Sequence, residues 1–86
     1  MTEHHLKVWP EFFDAMLNGI KKFEYRKDDR AFMVGDSLIL QEYDPKVLYW
    51  SIPTRKLHRT ITYILKGCPG LADGYVVLGI EPMRQP

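Results

Sequence analysis

Cysteine occurs once in the 86 residues, at Cys68, so no disulfide can form within the chain. A small fold without disulfides fits a reducing compartment, and a cytoplasmic protein is expected. An excess of one charge is also missing: twelve Lys and Arg stand against eleven Asp and Glu. No global field therefore draws the protein onto nucleic acid or an anionic membrane, and any anion site has to be local. No apolar run approaches about twenty residues and no basic-then-apolar leader opens the chain, so neither a membrane span nor a signal peptide is expected. The glycine patterns of phosphate loops and dinucleotide sites are absent, and no cofactor is expected.

Metal ligands are equally scarce. His4 and His5 are neighbours that a strand directs to opposite faces, His58 is remote, and no Cys or second His stands at ligand spacing, so no metal site is expected. Cys68 lies in a Gly-Cys-Pro-Gly loop with Lys66 as its one basic neighbour, which suits a structural or incidental thiol better than a nucleophile.

What is present describes a folded domain. Apolar residues at 45% and charged residues at 27% exclude wholesale disorder. A chain this short cannot divide its apolar content between two cores, so residues 1–86 make one domain that buries only about 60–65% of its unfolded surface. A monomer is favoured.

His4 to Trp9 alternates as a first strand, with Leu6 and Val8 on the core face. Pro10 suits the first turn of a helix, and Phe12, Phe13, Met16, Leu17 and Ile20 follow at the spacing of an apolar stripe that Asn18-Gly19 stops. Ser37 to Tyr43, Arg59 to Leu65 and Tyr75 to Ile80 read as further strands, separated by Asp44-Pro45 and Gly67-Cys68-Pro69-Gly70. Lys46 to Lys56 reads as a hairpin arm or a flap. About five strands and one early helix, without internal repeats, predict an α+β fold whose sheet curls into a partly closed β-barrel.

The densest chemistry lies in Gly19-Ile20-Lys21-Lys22-Phe23-Glu24-Tyr25-Arg26. Gly19 can end the helix in the left-handed conformation, and the strand that follows alternates aromatic and charged side chains. Phe23 and Tyr25 are expected to enter the core, leaving Glu24 and Arg26 to share the other face. Strict alternation would group Lys21 with Phe23, so Lys21 joins Glu24 and Arg26 on one concave surface only if the backbone after Gly19 is irregular.

Gly19-x-Lys21-x-x-Glu24-x-Arg26 resembles the G-x-K-x-x-E-x-R signature of ASCH domains, in the PUA-like superfamily of small β-barrels. His4-x-Leu6-Lys7, Pro10, Phe13, Asp29-Arg30, Gly35-Asp36, Ile61 to Leu65 and Gly74 to Ile80 extend the likeness to a bacterial and phage family of unknown function related to ASCH. It covers nearly the whole chain except Lys46 to Pro53. The resemblance implies a PUA-like barrel with a cleft beside the octet, and RNA or a nucleotide as partner. Some bacterial members resemble enzymes that deacetylate acetylated cytidine and place a threonine nucleophile three residues after the motif lysine. Here that position holds Glu24.

Three functions follow as expectations. In the first, a binding module holds RNA or a nucleotide, with Lys21 and Arg26 on phosphate or base and Glu24 on a hydrogen-bond donor. Arg30 stands at the rim with Asp36, and Trp9 and Trp50 stack bases. In the second, Glu24 is the general base of a hydrolase acting on a modified nucleoside or nucleotide, with Lys21 as its electrostatic partner. In the third, Val47-Leu48-Tyr49-Trp50 beside Pro53 marks a protein-interaction surface. The plain alternatives are a solvated Lys21, a surface ion pair of Glu24 with Arg26, and Asp28, Asp29 and Asp36 as turn formers.

Overall fold

The structure, a computed structural model that describes residues 1–46 and 55–82, follows the apolar pattern of the chain: the first strand at 3–8 alternates buried and exposed residues, while the strand at 37–42 buries three apolar residues in a row. The elements run β1 (Glu3–Val8), α1 (Pro10–Leu17), β2 (Phe23–Lys27), β3 (Ser37–Glu42), β4 (Lys56–Leu65) and β5 (Tyr75–Pro82). They form one five-stranded sheet in the order β1-β3-β4-β5-β2. Only β1 and β3 are parallel, and the remaining neighbours are antiparallel. The α+β fold with one early helix and a curled, half-closed sheet agrees with the sequence reading. The expected arm or flap at 46–56 falls mostly outside the described residues, as do Trp50 and the Val47 to Tyr49 run.

The concave face of the sheet carries the core. His4, Leu6 and Val8 of β1 alternate inward, as do Leu38 and Leu40 of β3, Ile61 of β4, and Val76, Leu78 and Ile80 of β5. Phe13 and Met16 of α1 and Phe32 from the β2–β3 connection close over them. The predicted helix stripe is thus only partly buried. Phe12 and Leu17 remain half exposed and Ile20 is 79% exposed, because the helix stops after about two turns and Ile20 lies beyond its end.

Two irregularities shape the sheet. Between Ile61 and Tyr63 the β4–β5 register shifts by a bulge, which adds twist where the sheet must curl. A Cβ at Gly79 would lie 3.2 Å from the Tyr63 Cβ, a tight contact that Tyr63 would have to give way to by a few tenths of an ångström.

The turn before β3 is held by a buried carboxylate. Asp36 accepts the Thr2 amide on Oδ1, and on Oδ2 the Met33 amide and the His4 ring, at 3.0, 3.0 and 2.9 Å respectively. These bonds hold its carboxyl below the ordinary range, the His4 bond contributing most. His4 packs against Phe32 with ring centroids 4.7 Å apart. Asp36 is therefore a turn former, as one of its two sequence readings held, and it anchors the start of β1 to the start of β3.

Candidate functional site

The octet is built on the end of α1. Gly19 has φ of +76°, its amide bonds the Met16 carbonyl, and the Ile20 amide bonds the Ala15 carbonyl. This is the Schellman arrangement, with Gly19 in the one position where a left-handed backbone is required. The Lys21 amide also bonds the Ala15 carbonyl, so the chain stays wrapped around the helix end and becomes regular strand only at Phe23. That irregular turn frees Lys21 from the strand period. Its ammonium lies 3.5 Å from Glu24 Oε1, and Arg26 Nη1 lies 3.6 Å from Glu24 Oε2. The three charged groups predicted from the motif come together with Glu24 between two cations.

The faces of β2 are the reverse of expectation for the aromatics. Phe23 and Tyr25 point outward and are 46% and 47% exposed, while Glu24 points inward and is buried. The physical reason is position: β2 is an edge strand, and its inward face looks toward the gap between the two sheet edges rather than into the apolar core. A carboxylate balanced by two cations fits that polar gap, and the rings go outside.

Burial raises the Glu24 pKa, and this outweighs the nearby Lys21 and Arg26 charges, the Lys21 hydrogen bond and the Tyr25 amide, all of which lower it. The Lys21 ammonium also donates to the Phe23 carbonyl at 2.9 Å and lies 4.7 and 5.5 Å from the Phe23 and Phe12 ring centroids. Ile80 bonds Lys22 and Asp28 bonds Gly74 across to β5, so by alternation the Phe23 and Tyr25 peptides face the open edge of the sheet. Lys21 and Glu24 therefore also cover the exposed edge of β2, as charged side chains do on many edge strands.

A cavity of about 180 Å³ lies where the two sheet edges approach. Lys7, Val8 and Trp9 from the end of β1, Phe12 from α1, and Glu24, Tyr25 and Arg26 from β2 line it. Trp9 stacks on Phe12 at 5.8 Å with 12° between the planes, which makes one wall aromatic. The opposite wall is ionic. Arg26 Nη1 is buried and has no hydrogen-bond partner among the described residues, because 3.6 Å to Glu24 exceeds bonding length.

Of the residues singled out from sequence, Trp9, Glu24 and Arg26 line the cavity, and Lys21 touches Glu24 from beside it. Arg30 does not line it: its Nη1 donates to the His5 carbonyl at 2.9 Å and its Nε lies 3.7 Å from Asp29. Lys7, Val8 and Phe12 were not singled out. Lys7 faces away from the core by simple alternation, which could have marked it, whereas Phe12 was absorbed into the helix stripe. Among the described residues no three His, Cys, Asp or Glu side chains are grouped to hold a metal ion.

Fold and site together define a small α+β half-barrel with an aromatic and ionic cavity at its open seam. The chain belongs to the family described as "Domain of unknown function (DUF3850)", whose profile matches residues 3–80. It is also 37% identical over 75 residues to "Uncharacterized 12.9 kDa protein in GpA 3'region" of Escherichia phage P2. That alignment covers 87% of this chain and 64% of the phage protein, so the chain spans under two thirds of its relative's length.

Proposed function

We propose that this is an ASCH-type, PUA-like domain that binds RNA or a nucleotide, with one base in the cavity between β1 and β2. The observation that carries the reading is the unused Arg26 Nη1 donor beside the buried Glu24 carboxylate. A buried donor without an acceptor is costly, and such groups in native proteins call for a partner. Donor and acceptor side by side match a planar heterocycle edge that presents an acceptor next to an N–H. Size supports this: an apolar cavity of about 150 Å³ accepts a benzene ring, so the space here suits a single ring better than a drug-sized ligand. Trp9 and Phe12 supply the stacking wall, and Lys21 fixes the orientation of Glu24.

Calorimetric titration with nucleoside monophosphates and short RNAs tests the reading. Saturable binding that Arg26→Ala and Glu24→Gln each weaken at least tenfold is expected. Absence of saturation, or binding that both variants retain, overturns it.

The raised pKa of Glu24 favours a second reading, in which it is the general base that activates water against an amide of a modified nucleoside such as acetylated cytidine. Water would add to the acetyl carbonyl, Glu24 would take its proton, and the amine would leave with that proton. Acetate release followed by mass spectrometry decides it. No product at high enzyme concentration ends the acetylcytidine form of this reading.

A further inference from the structure

The two faces of β2 are chemically different, and of the outer one Tyr25 alone also lines the cavity. In register, Phe23 pairs with Gly79 and Gly79 with Tyr63, while Tyr25 pairs with Val77 and Lys27 with Tyr75. Val76, Leu78 and Ile80 alternate inward, so Phe23, Tyr25, Tyr63 and Tyr75 all lie on the outer face of three adjacent strands. All four are substantially exposed, from 39% at Tyr75 to 63% at Tyr63. Tyr25 and Tyr75 are stacked, with centroids 5.3 Å apart and planes 14° from parallel. Between Phe23 and Tyr63 lies the bare backbone of Gly79, the three positions spanning two strand spacings, roughly 10 Å.

The charges around these rings select the occupant. Lys27 closes the aromatic segment of β2 on the same outer face, opposite Tyr75, is exposed, and forms no ion pair among the described residues, whereas Lys22 stands opposite inward-facing Ile80 and takes the other face by alternation. Lysine is depleted at protein–protein interfaces, where the centre is stripped of charge. An uncompensated lysine beside exposed rings is instead what a single-stranded nucleic acid meets, its bases stacking on the rings and a phosphate on the cation. Tyrosine hydroxyls leave the rings wettable when nothing is bound.

We propose that the outer face of β2, β5 and β4 is a stacking platform for single-stranded nucleic acid, with bases on Tyr25–Tyr75 and beside Tyr63 and a phosphate near Lys27. One face of the Phe23 ring already holds the Lys21 ammonium, so a base stacks on its other side. The inference rests on the nucleic-acid reading for the class of ligand, but its residues are separate from the cavity's ionic pair. A strand crossing the β2 edge would meet both: one base inside, its neighbours outside.

Fluorescence anisotropy with a labelled oligouridine of about ten nucleotides, within the site size of single-strand binders, provides the test. Tyr63→Ala and Tyr75→Ala, both at exposed positions and checked for folding by circular dichroism, should each weaken binding on the order of 5- to 100-fold. One phosphate contact predicts a salt slope of roughly −0.7, which should fall toward zero when Lys27 is replaced by alanine. Mononucleotide binding, measured in parallel, should ignore Tyr63→Ala, whose ring is not part of the cavity lining. Loss of mononucleotide binding alone would count against the cavity and leave the platform standing. An oligomer that binds both tyrosine variants like wild type overturns the platform, and so does a concentration-dependent dimer that Tyr75→Ala abolishes, since the occupant is then a second copy.

Discussion

Asp36→Asn keeps the volume of the side chain and replaces one acceptor oxygen by an NH₂ donor, which makes it a clean probe of the buried turn. The carboxylate accepts three bonds, from the Thr2 amide, the Met33 amide and the His4 ring. The least harmful arrangement turns the NH₂ toward Thr2, which loses one bond, and keeps one neutral oxygen for Met33 and His4. Bonds to a charged group contribute about 1.5–3 kcal/mol each, so losing one and weakening two predicts roughly 2 kcal/mol for asparagine. Asp36→Ala orphans all three donors, for roughly 3–4 kcal/mol once non-additivity is allowed for. A domain of this size has a total stability of about 4–13 kcal/mol, and each kcal/mol shifts Tm by about 4–8 °C. Alanine should therefore lower Tm by roughly 12–30 °C, or prevent folding altogether.

The pH dependence supplies a check that volume or packing effects would not reproduce. Because the folded pKa of Asp36 is lowered from 3.8, its contribution is full above the unfolded value and is lost as pH falls through the folded one. Urea unfolding of wild type and Asp36→Asn should give a constant gap between pH 5 and 7 that narrows below about pH 4. A gap under about 0.5 kcal/mol at pH 7, or one that persists unchanged at pH 3, would refute the account of the turn.

Other outcomes follow from the same geometry. Glu24 has a folded pKa above its ordinary 4.5, so its ionisation costs stability as pH rises from there through the folded value. Glu24→Gln should accordingly melt higher than wild type at pH 7 and equal to it near pH 4, and a lower Tm at pH 7 would contradict this. Gly19→Ala meets no atom within 4 Å, so its penalty is purely conformational, about 1–2 kcal/mol in denaturant unfolding. An unchanged midpoint would mean that the left-handed cap is unimportant. Trp9→Ala removes the stacked wall of the cavity while deleting a half-exposed side chain. It should weaken nucleotide binding by more than fivefold with a change in stability below about 1 kcal/mol, measured by calorimetry and urea unfolding.

The course of the chain was readable in the sequence where periodicity and glycine carried it. Leu6 and Val8, the Asn18-Gly19 stop, and the gathering of Lys21 with Glu24 and Arg26 all lie as local signals implied. The orientation of β2 was not readable. Alternation reports two faces but not which one is inside, and aromaticity suggested the wrong one. The deciding fact is non-local: β2 docks at the sheet edge against β5, and its inner face closes a polar seam. Phe12 escaped for a related reason, since a short helix can bury only Phe13 and Met16 and leaves the rest of its apolar stripe to the cavity and to solvent. The core role of His4 was hidden because its partner Asp36 lies 32 residues away.

The strand order also sets a timetable for synthesis. Among the described strands β2 pairs only with β5, Tyr25 opposite Val77, so the motif emerges about fifty residues before the strand it needs. At bacterial or eukaryotic translation speeds that is a delay of roughly 3–10 s, during which Glu24 has no burial and Phe23 and Tyr25 have no sheet. The parallel β1–β3 pair and the β3–β4 hairpin can assemble meanwhile. A nascent chain that stalls before Tyr75 would carry the entire signature and most of the core, yet would have no cavity, and its aromatic strand would be left open to chaperones and proteases.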